Sequence, residues 1–582
     1  EKTLLLVLAL FSFLVLLYAL TPSIQSDGLR YHLAAPQQWL RRGRLVYLPH
    51  QAFSNFPALV EMLFMFGLGL AGDLLAKGFH FLFLPLSAGA VGLICRDLQG
   101  EWDFAPSQSP WRVAMPLLAA TIFISLPLVG PLAGWAFIDL AVLYFTLAMI
   151  QFLLRYYSRQ NRKSWILAAI FGGLLCASKY TGVVFVFFGG VMILLADFVP
   201  RQKNVRPLSA KIPKSLTRFV LFGFIAAALA YPWWIKNVVY TGNPVYPMAW
   251  SVFEGGEWDE DLAEAYHAKT REKGIRQVLA GAPDAITKIR LITSLPWLTA
   301  HRSELFEGFD IGPFFYMFAP WVLVWLVYVL FQFRLRPQSA MLALWLIFFG
   351  LFWFFTYQSN RFFLPGWAIM IVIACLAARL MMQRLIVARI LISVALALVL
   401  GFNLIDTARW FLFDAGRFSV REENGRFIGV SGVHWPAFTT GHLTRREFLT
   451  LQLNYYPLAE YCSTRLPEDA KVLLVGEHRL MHWECNVVGS DWFDRPLIVG
   501  YIDAALARNA DNPVDAVVDA LRADGFTHVA VNLQEMLAAW QYQQGHFSEA
   551  GLAVFQSLLE SKRLQKLFSP MPDRLYVAKI QE

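Results

Sequence analysis

Apolar runs recur along the first two thirds of this chain, at residues 3–20, 75–95, 112–127, 137–154, 164–178, 181–198, 216–235, 312–333, 339–357, 362–380 and 387–406. A helix needs about 20 apolar residues to cross a bilayer, and somewhat fewer when Trp, Tyr, Lys or Arg anchor its ends. Such a series predicts a polytopic α-helical membrane protein with about eleven transmembrane helices. Composition agrees: 57% of residues are hydrophobic, 16% are charged, and the mean hydropathy is +0.47, outside the range of ordinary soluble domains. The first run reads as a retained span and not a cleaved signal peptide, because no small-residue cleavage site follows it and further spans do.

The charges orient the spans. Lys and Arg are densest in the short connections 155–163, 201–218, 334–337 and 379–389, which the positive-inside rule places in the cytoplasm. Counting outward from them puts Asp27, the turn before Asp139, SKYTG (178–182), the long segment 236–311, QSNR (358–361) and everything after 406 on the other side. The count closes only if FPALVEMLFMFGLGLAG (56–72) does not cross. Pro57, Glu61 and several Gly suit a juxtamembrane or re-entrant helix there. The net charge of +8 is spread between spans, with no basic stripe interleaved with aromatics, so no nucleic-acid partner is implied.

After residue 406 the pattern changes. KVLLVGE (471–477), PLIVGYI, the amphipathic VDAVVDALRADG and THVAVNL (527–533) alternate strand-like and helix-like segments, which predicts a small extracytoplasmic α/β domain over 407–582, beside a membrane domain over 1–406 with outer loops at 21–74 and 236–311. KVLLVGE carries one Gly where a dinucleotide fingerprint needs three. Of five Cys, Cys95, Cys176 and Cys375 lie in or at the ends of apolar runs and read as packing residues; Cys462 and Cys485 fall in the C-terminal region, where an oxidising compartment allows either a disulfide or free thiols.

The polar residues that stand out collect on the outer side: Asp27 after the first span, Asp139 at the head of AFIDLAVLYF, Lys179 and Tyr180 between two spans, Lys236 and Asn237 in YPWWIKNVVYTGNPVYP, and Arg361 in SNRFFLP. Ionisable groups at membrane depth invite a functional reading. At helix ends the alternatives are structural: Asp27, like Ser26, suits an N-cap for a helix starting near Leu29, and Asp139 suits a helix-dipole partner. Their shared side favours chemistry. His32 reads as an interfacial hydrogen-bonding residue, and no closely spaced His, Cys and Glu set suggests zinc. Arg30, Arg41, Arg42 and Arg44 read as the basic face of an amphipathic helix resting among lipid phosphates. The segment 236–311, with mixed charge and no evident core of its own, is expected either to hold a piece that closes over substrate or to be disordered.

On Asp27-x-x-x-Tyr31, SNFPALVEMLF, Asp139, KYTG, YPWWIKNVVYTGNPVYP and NRFFLP, with VLLVGE and GFTHVAVN in the C-terminal region, the chain resembles the GT-C superfamily of integral-membrane glycosyltransferases, particularly bacterial members related to the aminoarabinose transferase and protein O-mannosyltransferases. The resemblance implies transfer of a sugar from a polyprenyl-phosphate carrier, such as undecaprenyl phosphate, to a glycolipid, polysaccharide or protein acceptor at the outer face of a bacterial inner membrane, with inversion at the anomeric carbon. It implies that Asp27 is the general base and Asp139 its catalytic companion. Cations are needed at the leaving phosphate; Arg361 stands first for its bidentate grip, then Lys179, with Lys236 and Arg302 behind. Tyr31, His32, Tyr180 and Asn237 are the expected substrate-binding residues. Gly28 stands where some members carry a second acid, and Asp139 lacks an acidic neighbour, so a divalent cation (Mg or Mn) held by Asp27 and Asp139 is allowed but not implied. The rival reading is a transporter or flippase for lipid-linked sugars; such proteins show paired broken helices and internal repeats, of which the sequence shows none.

Overall fold

The computed structural model describes all residues except 103–110, 160, 199–207, 272–273, 307–309, 333–335, 385, 415–419, 424–425, 430–434, 538–545, 572 and 582. Parts of all four basic connections lie outside the described residues. Every apolar run forms helix, and eight of the described helices are long and apolar enough to cross a bilayer. The remaining runs are the shorter helices Trp111–Ser125, Arg162–Cys176 and Thr181–Phe198.

The helices Asp139–Arg159 and Leu364–Arg384 stand at the centre of the bundle. In their apolar stretches 83% and 89% of residues are buried, against 22% for the first helix, Lys2–Ala19, and for Ile386–Arg409. The enclosed pair therefore meets protein on nearly every side, while the outer helices present Leu, Ile, Val and Phe to lipid. Each central helix has a charged residue at its start: Asp139 is the first residue of one, and Arg361 sits in the tight turn Asn360–Phe363 leading into the other. Charges placed this way ride on the most enclosed helices of the bundle.

The stretch 56–72 does not run on into a straight span. Helix Leu59–Phe81 breaks at Ala71 and Gly72, where Gly72 takes a left-handed backbone (φ +76°). Its two arms fold onto each other so closely that a Cβ on Gly67 would lie 2.7 Å from the backbone nitrogen of Ala76. Nine residues of straight helix would separate these positions by about 13 Å. The hairpin brings Glu61, at the start of one arm, and His80, near the end of the other, to the same end of the bundle as Asp27 and Asp139.

The segment 236–311 is more ordered than its composition suggests. It contains the helices Glu260–Arg271, Ile275–Ala280, Ala285–Thr293 and Leu295–His301. It also has a small core, correcting the expectation that it has none: Tyr246, Trp258, Leu262 and Ala263 pack together, with Ala52 from the first outer loop and Phe493 from the C-terminal region against them.

Strands β1 (Val420–Glu423) and β2 (Arg426–Gly429) form an isolated antiparallel hairpin. The C-terminal sheet uses β3 (Lys471–Val475), β4 (Asn486–Val488), β5 (His528–Asn532), β6 (Leu564–Met571) and β7 (Leu575–Ile580) in the order β4-β3-β5-β7-β6. The β3–β4 and β3–β5 pairs are parallel, the other two antiparallel. KVLLV and THVAVN are strands as expected; PLIVGYI opens the helix Leu497–Ala507. Alternate residues serve different cores. Leu473, Val475, Val529 and Val531 face the helices Leu497–Ala507, Pro513–Ala523 and Glu549–Glu560, whereas Val472, Leu474 and Ala530 join the core that continues into the membrane helices. Both faces of the sheet are thereby covered, and its loops are held against the end of the bundle that carries Asp27 and Asp139.

Candidate active site

A cavity of about 420 Å³ opens at that end of the bundle. Apolar residues of membrane helices line one part of it, among them Val142, Leu143, Phe185 and Phe352; Phe53, Tyr266, Trp492 and Phe493 line another. Between them lie Asp27, Arg30, Tyr31, His32, Glu61, Asp139, Lys179, Tyr180 and Arg361.

Asp27 precedes the short wide turn Gly28–His32, closed by the bond from Leu33 N–H to the Gly28 carbonyl five residues back, at 2.9 Å. Its side chain makes no capping hydrogen bond, so the N-cap reading does not account for it. Instead it accepts a hydrogen bond from Arg361 Nη1 at 3.0 Å, and Arg30 Nη1 stands 3.7 Å from its other oxygen. Burial alone would raise the Asp27 carboxyl, but Arg361, Arg30 and His32 outweigh it and hold the group below its ordinary value. Gly28 is needed for close approach: a Cβ there would press within 3.3 Å of Ser23 Oγ and 3.5 Å of Ala136. The position after Asp27 is thus packed against the loop leading to Asp139.

Asp139 is buried, with Arg361 Nη1 at 3.7 Å from one oxygen and Lys179 Nζ at 3.6 Å from the other. The turn that presents it is clamped by His80, whose Nδ1–H donates to the Trp135 carbonyl (2.8 Å) while Nε2 accepts from Leu140 N–H (3.3 Å). Lys179 sits in the tight connection before Thr181–Phe198, its ammonium 4.0 Å from the centre of the Phe362 ring. Burial lowers Lys179 below its ordinary value; Asp139 opposes the shift and Arg361 adds to it. The Arg361 guanidinium lies over the same Phe362 ring at 4.8 Å and near Phe137 at 5.4 Å. Trp353 and Trp367 fix its turn by donating to the carbonyls of Ser359 and Asn360.

The other expected residues separate into two groups. Tyr31, His32 and Tyr180 line the cavity, whereas Asn237 stands behind it, donating to Tyr180 Oη (2.7 Å) and to the Asn55 carbonyl (2.9 Å). Tyr180 Oη in turn donates to the Tyr246 carbonyl (3.0 Å), so this pair ties the first outer loop to the segment after the seventh span. Lys236 does not line the cavity; its ammonium donates to the Ser54 carbonyl at 3.2 Å. Arg302 is exposed and lies off the lining.

Arg30 departs from its expected place among lipid phosphates. Its side chain is 3% exposed, since Asp491 of the C-terminal region takes it in a bidentate pair. Arg41 is exposed yet spends a donor on the Trp483 carbonyl, leaving Arg42 and Arg44 as the exposed basic pair. Sequence reasoning also passed over Glu61 as a site residue, which holds His32 Nδ1 at 2.6 Å, and over Trp492 and Phe493. The run SDWFDRP (490–496), with two acids flanking two aromatics in an otherwise ordinary loop, was the signal available.

Asp27 and Asp139 do not fit a divalent ion in this arrangement, because one guanidinium nitrogen already stands between them and, among the described residues, no three His, Cys, Asp or Glu are grouped to share an ion. What the geometry can do is present two carboxylates and two cations together in a largely apolar cavity, where charges interact strongly.

No protein-family description matches the sequence, and no curated protein is similar to it. Solved structures are. ArnT from Cupriavidus metallidurans in the apo state aligns at a TM-score of 0.54 and 14% identity over 99% of this chain and 98% of its own. The same protein bound to undecaprenyl phosphate aligns at 0.52 and 12% identity, again over 99% and 98%. The arabinofuranosyltransferase AftD from mycobacteria aligns at 0.48 and 14% identity over all of this chain and 40% of its own. Spanning both membrane helices and C-terminal sheet, the likeness shows that this multi-pass membrane protein shares the fold of ArnT.

Proposed function

We propose that the protein is an inverting glycosyltransferase that moves a sugar from a polyprenyl-phosphate carrier, undecaprenyl phosphate being the first choice, to a hydroxyl of a glycan, lipid or protein acceptor. One observation carries the reading: Asp27 and Asp139 converge with Arg361 and Lys179 on a cavity whose lining is otherwise largely apolar and aromatic. A lipid-linked sugar phosphate needs those three surfaces, an apolar path for the chain, cations for the phosphate and polar groups for the sugar. The shared fold with ArnT, one structure of which holds undecaprenyl phosphate, adds support.

In this reading the donor phosphate competes with the two carboxylates for Arg361 and Lys179, which releases Asp27. Asp27 then takes the proton of the acceptor hydroxyl as its oxygen attacks the anomeric carbon from the face opposite the phosphate. The bond from that carbon to the phosphate oxygen breaks, and the polyprenyl phosphate leaves with the electron pair. Its diester becomes a monoester, and Arg361 and Lys179 meet the added charge, stabilisation worth about 10²–10³ in rate per well-placed donor. Asp139 holds Lys179 and Arg361 in register. No step is routed through a metal.

Two experiments test the reading. Purified protein in lipid nanodiscs, given radiolabelled undecaprenyl-phosphoryl sugars and membrane extracts as acceptor, is expected to release undecaprenyl phosphate and label an acceptor with inverted anomeric configuration. Movement of the lipid between leaflets without sugar transfer would instead indicate the flippase. The site is proposed to face the periplasm, so alkaline phosphatase fused after Leu404, in the last long apolar helix, is expected to be active. An inactive fusion there, with a cytoplasmic reporter fluorescing in its place, would put the site on the wrong side for this donor.

A further inference from the structure

We infer that Asp491 is a positioning residue for transfer: it holds the Arg30 guanidinium off Asp27 and so keeps one oxygen of the base open to the acceptor hydroxyl. The inference rests on the glycosyltransferase reading above.

Arg30 lies three residues beyond Asp27 on the same turn and stands between two carboxylates. To Asp491 it makes a close fork, Nε donating to Oδ2 at 3.2 Å and Nη2 donating to Oδ1. To Asp27 Oδ1 its Nη1 is 3.7 Å away, beyond hydrogen-bond length. The indole of Trp492, 4.4 Å from the guanidinium carbon, holds it on the Asp491 side. Asp491 is itself fixed, 1% exposed, with its backbone N–H donating to the His50 carbonyl at 2.8 Å.

A buried guanidinium does not stay unpaired, because desolvation of a lone charge costs several kcal/mol. Without Asp491 the nearest carboxylate is Asp27, and Arg and carboxylate groups prefer a two-bond fork. Asp27 Oδ2 already accepts from Arg361 at 3.0 Å. Arg30 would then close on Oδ1, and on Oδ2 as well once a donor phosphate had drawn Arg361 away. The acceptor hydroxyl would then have to compete with a guanidinium at both oxygens of the base. The C-terminal region thus contributes to transfer by withholding a cation from the base, in addition to lining the cavity with Trp492 and Phe493.

The test uses the full chain in nanodiscs with whichever undecaprenyl-phosphoryl sugar the wild type transfers. Asp491→Asn, which keeps the shape of the side chain, is expected to lower kcat by about 10-fold or more with donor KM nearly unchanged, a split that general loosening of the domain would not give. Arg30→Gln and the double variant R30Q/D491N are measured beside it. With no cation left to swing, the double variant is expected to match Arg30→Gln, so that the cost of losing Asp491 vanishes in that background. This comparison holds even where Asp491→Asn alone folds poorly. Wild-type kcat in Asp491→Asn, or an equal loss from removing Asp491 with and without Arg30, would overturn the inference while leaving the glycosyltransferase reading intact. A wild-type protein that transfers no sugar would overturn both.

Discussion

Asp27→Asn is expected to lower sugar transfer by about 100-fold or more while the protein extracts and purifies as the wild type does. Asn keeps the shape and the capping ability of Asp, and the structure shows no capping bond to lose. What the substitution removes is a carboxylate that can accept a proton, together with the ion pair to Arg361 at 3.0 Å. Half of the charge balance on Arg361 remains, because Asp139 Oδ2 lies 3.7 Å from the same nitrogen, so the turn Asn360–Phe363 should hold its place. The measurement is single-turnover transfer from undecaprenyl-phosphoryl sugar, with donor binding followed separately. Full-speed transfer by a well-folded Asp27→Asn protein would remove Asp27 from the role of base.

Arg361→Ala should cost as much by a different route. Among the described residues the guanidinium is the one cation paired with both carboxylates, and it is pinned against Phe362 and Phe137. Its loss leaves Asp27 and Asp139 facing each other and the donor phosphate with Lys179 alone. We expect kcat/KM to fall by about 100-fold to 1000-fold, with both donor affinity and turnover reduced. Arg361→Lys should do less harm, about 10-fold, since the charge stays and only the two-pronged grip is lost. Equal activity in the Ala and Lys variants would mean that charge at position 361 is not what the phosphate requires.

Particular residues show where sequence reasoning stopped. Asp27, Asp139, Lys179 and Arg361 were legible because each is a charged residue at the end of an apolar run, and the bilayer makes such placements costly enough to stand out. Lys236 carried the same signal at the same depth, yet its ammonium turns to the Ser54 carbonyl away from the cavity. Position along a span sets depth but not azimuth, and azimuth is a matter of how helices pack. Arg30 misled for a related reason. On the chain it belongs with Arg41, Arg42 and Arg44 as a basic face; in space its neighbour is Asp491, 461 residues away. Glu61 and His80 had no local mark that set them apart from caps and core histidines, and Trp492 and Phe493 had only the flanking acids of SDWFDRP.

By itself, then, the sequence determined the solvent of the protein, the helical runs and the charges that stand at their ends, because the cost of placing a charge or an open backbone in hydrocarbon is local and can be read residue by residue. It also determined the strands Lys471–Val475 and His528–Asn532, through runs of β-branched and apolar residues at strand length. Only the tertiary structure decided that the arms of Leu59–Phe81 fold back on each other at Gly67 and Ala76, that the two most enclosed helices bring Asp139 and Arg361 beside Asp27, and that a loop of the C-terminal region supplies Asp491 to Arg30. Those facts depend on pairings between residues tens to hundreds of positions apart. Each is settled by close packing and by the need of every buried charge for a partner, which no stretch of chain can satisfy alone.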